Sequence, residues 1–306
     1  MTAVEVERMS ARKGLAGRGY SRGHRAALTV FCTGLLALSA PLQGLEAQWL
    51  EEPGQGWAEV TFIYHDTDQV FDQRGAERFI FADGRAITRS IFLTAVTGIH
   101  TGLDTWVQVP IHSITFNDAG SDLSNTGFGD PSIYLRVGTG ILEGIPDVPL
   151  ALRGGVKLAG GSFDVDSEVI PLGEGQTDWE LLAELGHSFH PLPFWTVAWV
   201  GHRWRTENTD AVREPGDEWF WLWSVGGDAG PVEWTLTLDG LEGGTWTIEG
   251  LEVPTARRYL TQGLFELGRP IGPGTLSAGV RNAFRGRNLP SGTAWTLSYF
   301  VNFGGF

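Results

Sequence analysis

The sequence predicts an all-β fold, a transmembrane antiparallel β-barrel of about twelve strands, and three observations carry that reading. The segment 295–303 alternates Trp295, Leu297, Tyr299, Val301 and Phe303 with Thr296, Ser298, Phe300 and Asn302. An apolar, aromatic-rich face backed by a more polar one suits a wall between lipid and a lumen. Beyond residue 47 no apolar run approaches the roughly 18 residues that a spanning helix needs, so any membrane span must be made of strands. The connections between candidate strands also alternate long and short, the pattern of barrels with long outer loops and short periplasmic turns.

The front of the chain stands apart from this pattern. Arg12, Lys13, Arg18, Arg22 and Arg25 precede an apolar run over 26–40, and small residues follow, with Leu45-Glu46-Ala47 the best cleavage site. Residues 1–47 therefore read as a secretory signal peptide and 48–306 as the barrel. Glu5 and Glu7 are out of place in a basic leader, and Met9 just after them favours initiation there. Cys32 follows Phe31 where lipoprotein processing needs a small residue, so lipidation is not expected. Loss of that cysteine with the leader leaves a mature chain without disulfides.

Past the leader the strands fall near 57–66, 86–97, 105–114, 130–140, 149–160, 179–188, 194–205, 218–227, 232–240, 258–268, 275–283 and 294–303. The long connections are 67–85, 115–129, 161–178, 206–217 and 241–257, and the short ones include 98–104, 141–148, 189–193, 228–231 and 269–274. Proline and glycine punctuate the short turns, as at Pro193, Pro231 and Pro270 to Gly274. Both termini then lie on the periplasmic side. The final strand closes the cylinder, and bacterial barrels commonly end in an aromatic residue that the assembly machinery reads. Here either Phe306 is that residue, with a register shift at Gly304 and Gly305, or Phe303 is the functional end.

Composition agrees with strands that wet one face. The chain has 43 Gly, 13 Trp and only two lysines, Lys13 and Lys157, with a mean hydropathy of -0.06. Residues 1–47 hold six basic and three acidic side chains, so the remainder holds 16 and 33, a net charge of −17. Nucleic acid is excluded as a partner on charge. The expected partners are outer-membrane lipid, the barrel-assembly machinery and a small-molecule solute.

Two constellations bear on the lumen. In Trp219-Phe220-Trp221-Leu222-Trp223 the three tryptophans share one face. If that face meets lipid, Phe220 and Leu222 point inward, as do Phe300 and, less firmly, Leu260 and Leu264. Such a track suits hydrophobic or aromatic solutes, and apolar packing that plugs a narrow lumen accounts for the same residues. The second constellation is charged: with Leu150, Leu152, Val156 and Leu158 outside, Arg153 and Lys157 point inward. With Trp179, Leu181, Ala183 and Leu185 outside, so do Glu180 and Glu184. Opposed residues in an antiparallel hairpin have a constant index sum, and a single register would set Lys157 against Glu180 and Arg153 against Glu184. Arg136 would lie beside Arg153 across the preceding turn. Glu233, Asp239 and Glu266 also face inward, with Arg258 and Arg281 near them. These residues form either cross-strand pairs that stiffen the wall or a constriction that orients solute dipoles.

Enzyme chemistry finds no support. The histidines are scattered, no His-Glu-x-x-His or paired-cysteine site occurs, and no catalytic or cofactor-binding residue is expected. Gly186-His187-Ser188 lacks an acidic partner at any diagnostic spacing, which leaves a barrel hydrolase the weakest reading. Asp164, Asp166 and Glu168 alternate in an outer loop, where they read as a solvated tract rather than a calcium site.

Gly127-Phe128-Gly129-Asp130 opening a strand, Val107-Gln108-Val109-Pro110 in the strand before it, and Gly155-Val156-Lys157-Leu158 further on carry a family likeness. With them the chain resembles the outer-membrane family named for the meta-pathway of phenol degradation, over nearly the whole mature sequence. The resemblance implies a barrel that passes aromatic or other hydrophobic compounds. The expectation is thus a passive outer-membrane channel, with a structural or adhesive barrel of plugged lumen as the alternative.

Overall fold

The computed structural model describes residues 50–138, 150–163, 169–189 and 192–304. The proposed leader, the acidic loop tract at 164–168 and Phe306 lie outside the described residues. Twelve antiparallel strands close into one barrel. They are β1 (Gly56–Thr67), β2 (Arg85–His100), β3 (Leu103–Asn117), β4 in two parts (Asp122–Phe128 and Ser132–Gly138), β5 (Leu150–Lys157) and β6 (Asp178–Ser188). The circuit continues with β7 (Phe194–Arg205), β8 (Glu218–Ala229), β9 (Val232–Gly243), β10 (Tyr259–Ile271), β11 (Gly274–Arg287) and β12 (Gly292–Phe303). Each strand pairs with its neighbours in sequence, and β12 pairs with β1 to close the wall. No helix among the described residues is long and apolar enough to cross a membrane.

Closure satisfies the backbone groups that hydrocarbon cannot, and the alternation of side chains decides which way each strand faces. Trp179, Leu181 and Leu185, Trp219, Trp221 and Trp223, and Trp295 and Leu297 are exposed on the outer face. Between them Glu180, Leu182 and Glu184, Leu222, Thr296 and Ser298 are buried inside. So large an exposed apolar surface, running round the whole cylinder, belongs against lipid. The folded barrel should accordingly resist detergent, migrating faster on a gel unheated than boiled; recovery as a soluble periplasmic protein would refute the membrane reading.

The wall is uneven at one place. On the loop side β5 ends at Lys157, opposite Ser132. The upper part of β4 therefore has β3 as its one strand partner among the described residues. The chain after β5 covers that free edge instead: the Asn125 side-chain amide donates to the Ile170 carbonyl at 2.6 Å, and the Leu158 N–H donates to the Pro131 carbonyl at 2.8 Å. Elsewhere on the loop side two small three-stranded sheets form from short segments, one of Gln69–Phe71, Glu77–Phe79 and Leu289–Pro290, the other of Arg213–Glu214, Trp246–Ile248 and Leu251–Val253. At the closing seam the ladder ends at Phe303, opposite Gly56, and Gly304 turns away with a φ of 84°.

The register between β5 and β6 corrects the sequence expectation. Lys157 stands opposite Asp178 and Arg153 opposite Leu182, while Glu180 faces Gly155 and Glu184 faces Ala151. The shift is by two residues, which leaves every side chain on its expected face. On its other side β5 keeps the expected register, with Gly155 opposite Tyr134, where a Cβ would lie 2.1 Å from the Tyr134 ring. The expected neighbours Arg136 and Arg153 do stand opposite each other.

Candidate functional site

The interior holds three layers. At the end nearest the termini an aromatic and ionic floor crosses the lumen. Trp57 meets Trp106 edge to face at 5.2 Å between ring centres and packs against Phe300 at 5.5 Å. Val96, Leu182, Val197, Trp199 and Leu222 fill the space around them. Into this layer Arg136 sends a guanidinium that pairs with Asp104 at 2.6 Å and with Glu184 at 3.4 Å. Arg153 reaches Glu184 at 2.7 Å and lies over the Trp106 ring at 4.5 Å. That pair is diagonal across the hairpin, which is how the two charges meet despite the shifted register. The Glu51 N–H, from the segment leading into β1, donates to Asp104 at 3.2 Å.

At the loop end a second ionic layer forms the roof. Lys157 pairs with Glu174, with Asp178 at 2.7 Å and with Asp130 at 3.6 Å. Arg205 joins Glu174 at 2.5 Å and Glu218 at 3.2 Å; Arg258 joins Glu218 and, at 3.1 Å, Glu174. Arg203 bridges Glu180 at 2.7 Å and Glu218 at 3.0 Å, and Glu180 also accepts from the Tyr134 hydroxyl at 3.0 Å. Burial alone would raise the Glu174 carboxyl, but Arg205, Lys157 and Arg258 outweigh it and hold the group well below the usual carboxylate range. With each cation between two or three carboxylates, the four cations of the roof are all paired within it, against five carboxylates.

Between floor and roof lies a cavity of about 70 Å³. Tyr134, Leu182, Trp199, Phe220, Leu241 and Leu260 give it an apolar side; Gln108, His112, Glu180, Arg203 and Asp239 give it a polar one. The three motifs of the family likeness converge here. Gln108 and Pro110 line the cavity, and Lys157 pairs with Asp130. Asp130 in turn accepts from the N–H groups of Gly161 at 2.9 Å and Glu174 at 2.8 Å, pinning the chain after β5 inside the barrel. A Cβ on Gly173 would sit 2.2 Å from the Asp130 carboxylate, so only glycine fits that fold-back.

Of the residues singled out from sequence, Arg136, Arg153 and Glu184 lie in the floor, Lys157 and Glu180 in the roof, and Leu222 in the floor's apolar packing. Phe220 borders the cavity, its ring edge-on to Trp199 at 5.5 Å. Asp239 and Arg281 are buried on the opposite wall, and Glu266 accepts from Thr296 at 3.1 Å. Glu233 is separate from both layers, held by Thr275 at 3.4 Å near a periplasmic turn. Sequence reasoning missed Asp104, Asp130, Glu174, Asp178, Arg203, Arg205 and Glu218. The alternation of Arg203 and Arg205 within β7 was a signal; Glu174, in a loop, left none. Ser188 is exposed at the end of β6, and no cluster suited to a metal ion occurs among the described residues.

No known family matches the chain, and no curated protein is similar to it in sequence. Solved structures are similar in fold. The COG4313 outer membrane channel from Pseudomonas putida F1 aligns with a TM-score of 0.72 at 16% identity, over 85% of this chain and 100% of that one. The CymD monoaromatic hydrocarbon channel aligns at a TM-score of 0.43 and 8% identity, over 84% of this chain and 90% of that one. The Pseudomonas putida toluene transporter TodX aligns at 0.37 and 8%, over 90% and 92%. The fold is that of a bacterial outer-membrane barrel, on the strength of the first of these and of the lipid-facing belt.

Proposed function

We propose that the chain is an outer-membrane channel for small apolar or aromatic molecules, delivered by a cleaved leader over residues 1–47 and inserted by the barrel-assembly machinery. The observation that carries this is the apolar side of the lumen cavity. A water-filled sieve lines itself with polar groups, whereas Trp199, Phe220, Leu241 and Leu260 turn apolar surface inward in mid-barrel. The motifs that carry the resemblance to the phenol meta-pathway family surround the same cavity. The floor and roof bound this cavity along the barrel axis, so transit requires a path through or beside them. Beside Asp130 and Lys157 the upper part of β4 has β3 as its one strand partner among the described residues, so a path through the wall there would part loop contacts rather than a strand ladder.

A plugged structural barrel is the second reading, favoured by the complete burial of Arg136, Glu184 and Trp106. Uptake of radiolabelled toluene by cells expressing the protein, in which lipopolysaccharide slows apolar solutes, separates the two. Faster uptake than in cells lacking it supports the channel. No difference, together with an unchanged single-channel conductance after Trp57→Ala with Trp106→Ala, would establish the plug.

A further inference from the structure

Two buried polar atoms on facing walls of the lumen have no hydrogen bond among the described residues, and both belong to residues that line the cavity. Asp239 of β9 is 4% exposed and His112 of β3 is 3% exposed. The Asp239 Oδ2 accepts from the Gln262 amide at 2.7 Å, while its Oδ1 has no hydrogen bond among the described residues. The His112 Nδ1 bonds the Ser90 hydroxyl at 2.8 Å, and its Nε2 has none. Buried polar groups are satisfied with few exceptions, and an ionisable side chain at membrane depth with a free acceptor is costly unless something comes to it. The floor and roof pair their cations internally; Asp239 stands outside both, with the charge of Arg281 bearing on it.

We propose that the cavity binds a small molecule with an apolar body and a neutral hydrogen-bond-donating head, an alcohol or phenol-like hydroxyl. The head donates to Asp239 Oδ1, with His112 on the facing wall, and the body lies against Trp199, Phe220 and Leu260. This rests on the reading of the barrel as a channel for apolar solutes and specifies which of them it selects. Anions are rejected because the head would meet the Asp239 carboxylate, while the cations that line the cavity, Arg153, Lys157 and Arg203, are already paired with carboxylates. Apolar molecules without a donor leave Asp239 unsatisfied, the arrangement that discriminates most strongly between analogues. The cavity of about 70 Å³ is roughly half the 150 Å³ that encloses benzene, so a ring enters fully only as Phe220, partly buried at its rim, swings aside.

The test is isothermal titration of the full chain in lipid nanodiscs with 2-phenylethanol, its methyl ether and phenylacetate. The alcohol should bind at least about tenfold more tightly than either analogue. In Asp239→Leu, its folding checked by heat-modifiable migration, the preference for alcohol over ether should vanish; His112→Phe, with the ring kept, should weaken it severalfold. Equal binding of ether and alcohol by the unaltered protein overturns the proposal even if neither variant folds, and so does a preference that survives Asp239→Leu. Uptake by cells separates this from the channel reading: selective binding without uptake refutes the channel and keeps the site, while uptake of alcohol and ether at equal rates without selective binding refutes the site and keeps the channel.

Discussion

Deletion of residues 295–306 is expected to abolish the folded barrel outright. β12 holds the seam, with ten residue pairs to β1, from Gly56↔Phe303 to His65↔Ala294, and ten to β11. Without it β1 and β11 each present an unpaired edge to hydrocarbon, where every orphaned N–H or C=O costs several kcal/mol. No side-chain contact can offset a deficit repeated along two strands. Removal of 304–306 alone leaves every one of those pairs in place. If Phe303 is the end that the assembly machinery reads, this shorter deletion should insert normally, and heat-modifiable migration with resistance to added protease would show it. Failure of the short deletion would assign the signal to Phe306, and normal insertion of the long one would mean that the wall closes without β12.

The facing of the strands was legible in the sequence because it depends on a period of two and nothing else. Trp219, Trp221 and Trp223 had to share a side, and they share the lipid side. Register was not legible between β5 and β6, for a reason that lies in the same periodicity. A slip of two residues keeps both faces intact, so matching Lys157 to Glu180 and Arg153 to Glu184 was one solution among several with identical patterning. What selected the actual register is three-dimensional: Lys157 is drawn to carboxylates on three different segments, among them Asp178, which stands directly opposite it. Asp130 and Glu174 come from irregular stretches with no period to read. The roof they build with Arg205 and Arg258 spans 84 residues of sequence in the Glu174 to Arg258 contact alone. Hence the inward charges were visible as charges, but their division into two separate layers with a cavity between was not.

That division gives the second large effect, in the floor. Arg136→Met is expected to destabilise the barrel by about 3–5 kcal/mol, the range for breaking a fully buried pair by removing one partner. Arg136 has no exposed side-chain surface, and neither do its partners Asp104 and Glu184. With the guanidinium gone, Glu184 keeps Arg153, whereas Asp104 keeps, among the described residues, the Glu51 N–H. Arg136→Lys should recover part of the loss, since an ammonium restores the charge but not the fork that reaches both carboxylates. Arg85→Ala is the control: its pair with Asp66 is as short, at 2.6 Å, but the Arg85 side chain is 60% exposed. An exposed pair of that kind is screened by water and contributes little. Urea midpoints followed by tryptophan fluorescence in lipid vesicles give all three values on one scale. If Arg136→Met falls no further than Arg85→Ala, water already reaches Asp104 and Glu184, and the floor is a hydrated constriction open to solutes. A full loss means that the floor is a dry closure, so that any solute crossing this barrel must either displace those charges together or leave through the wall above them.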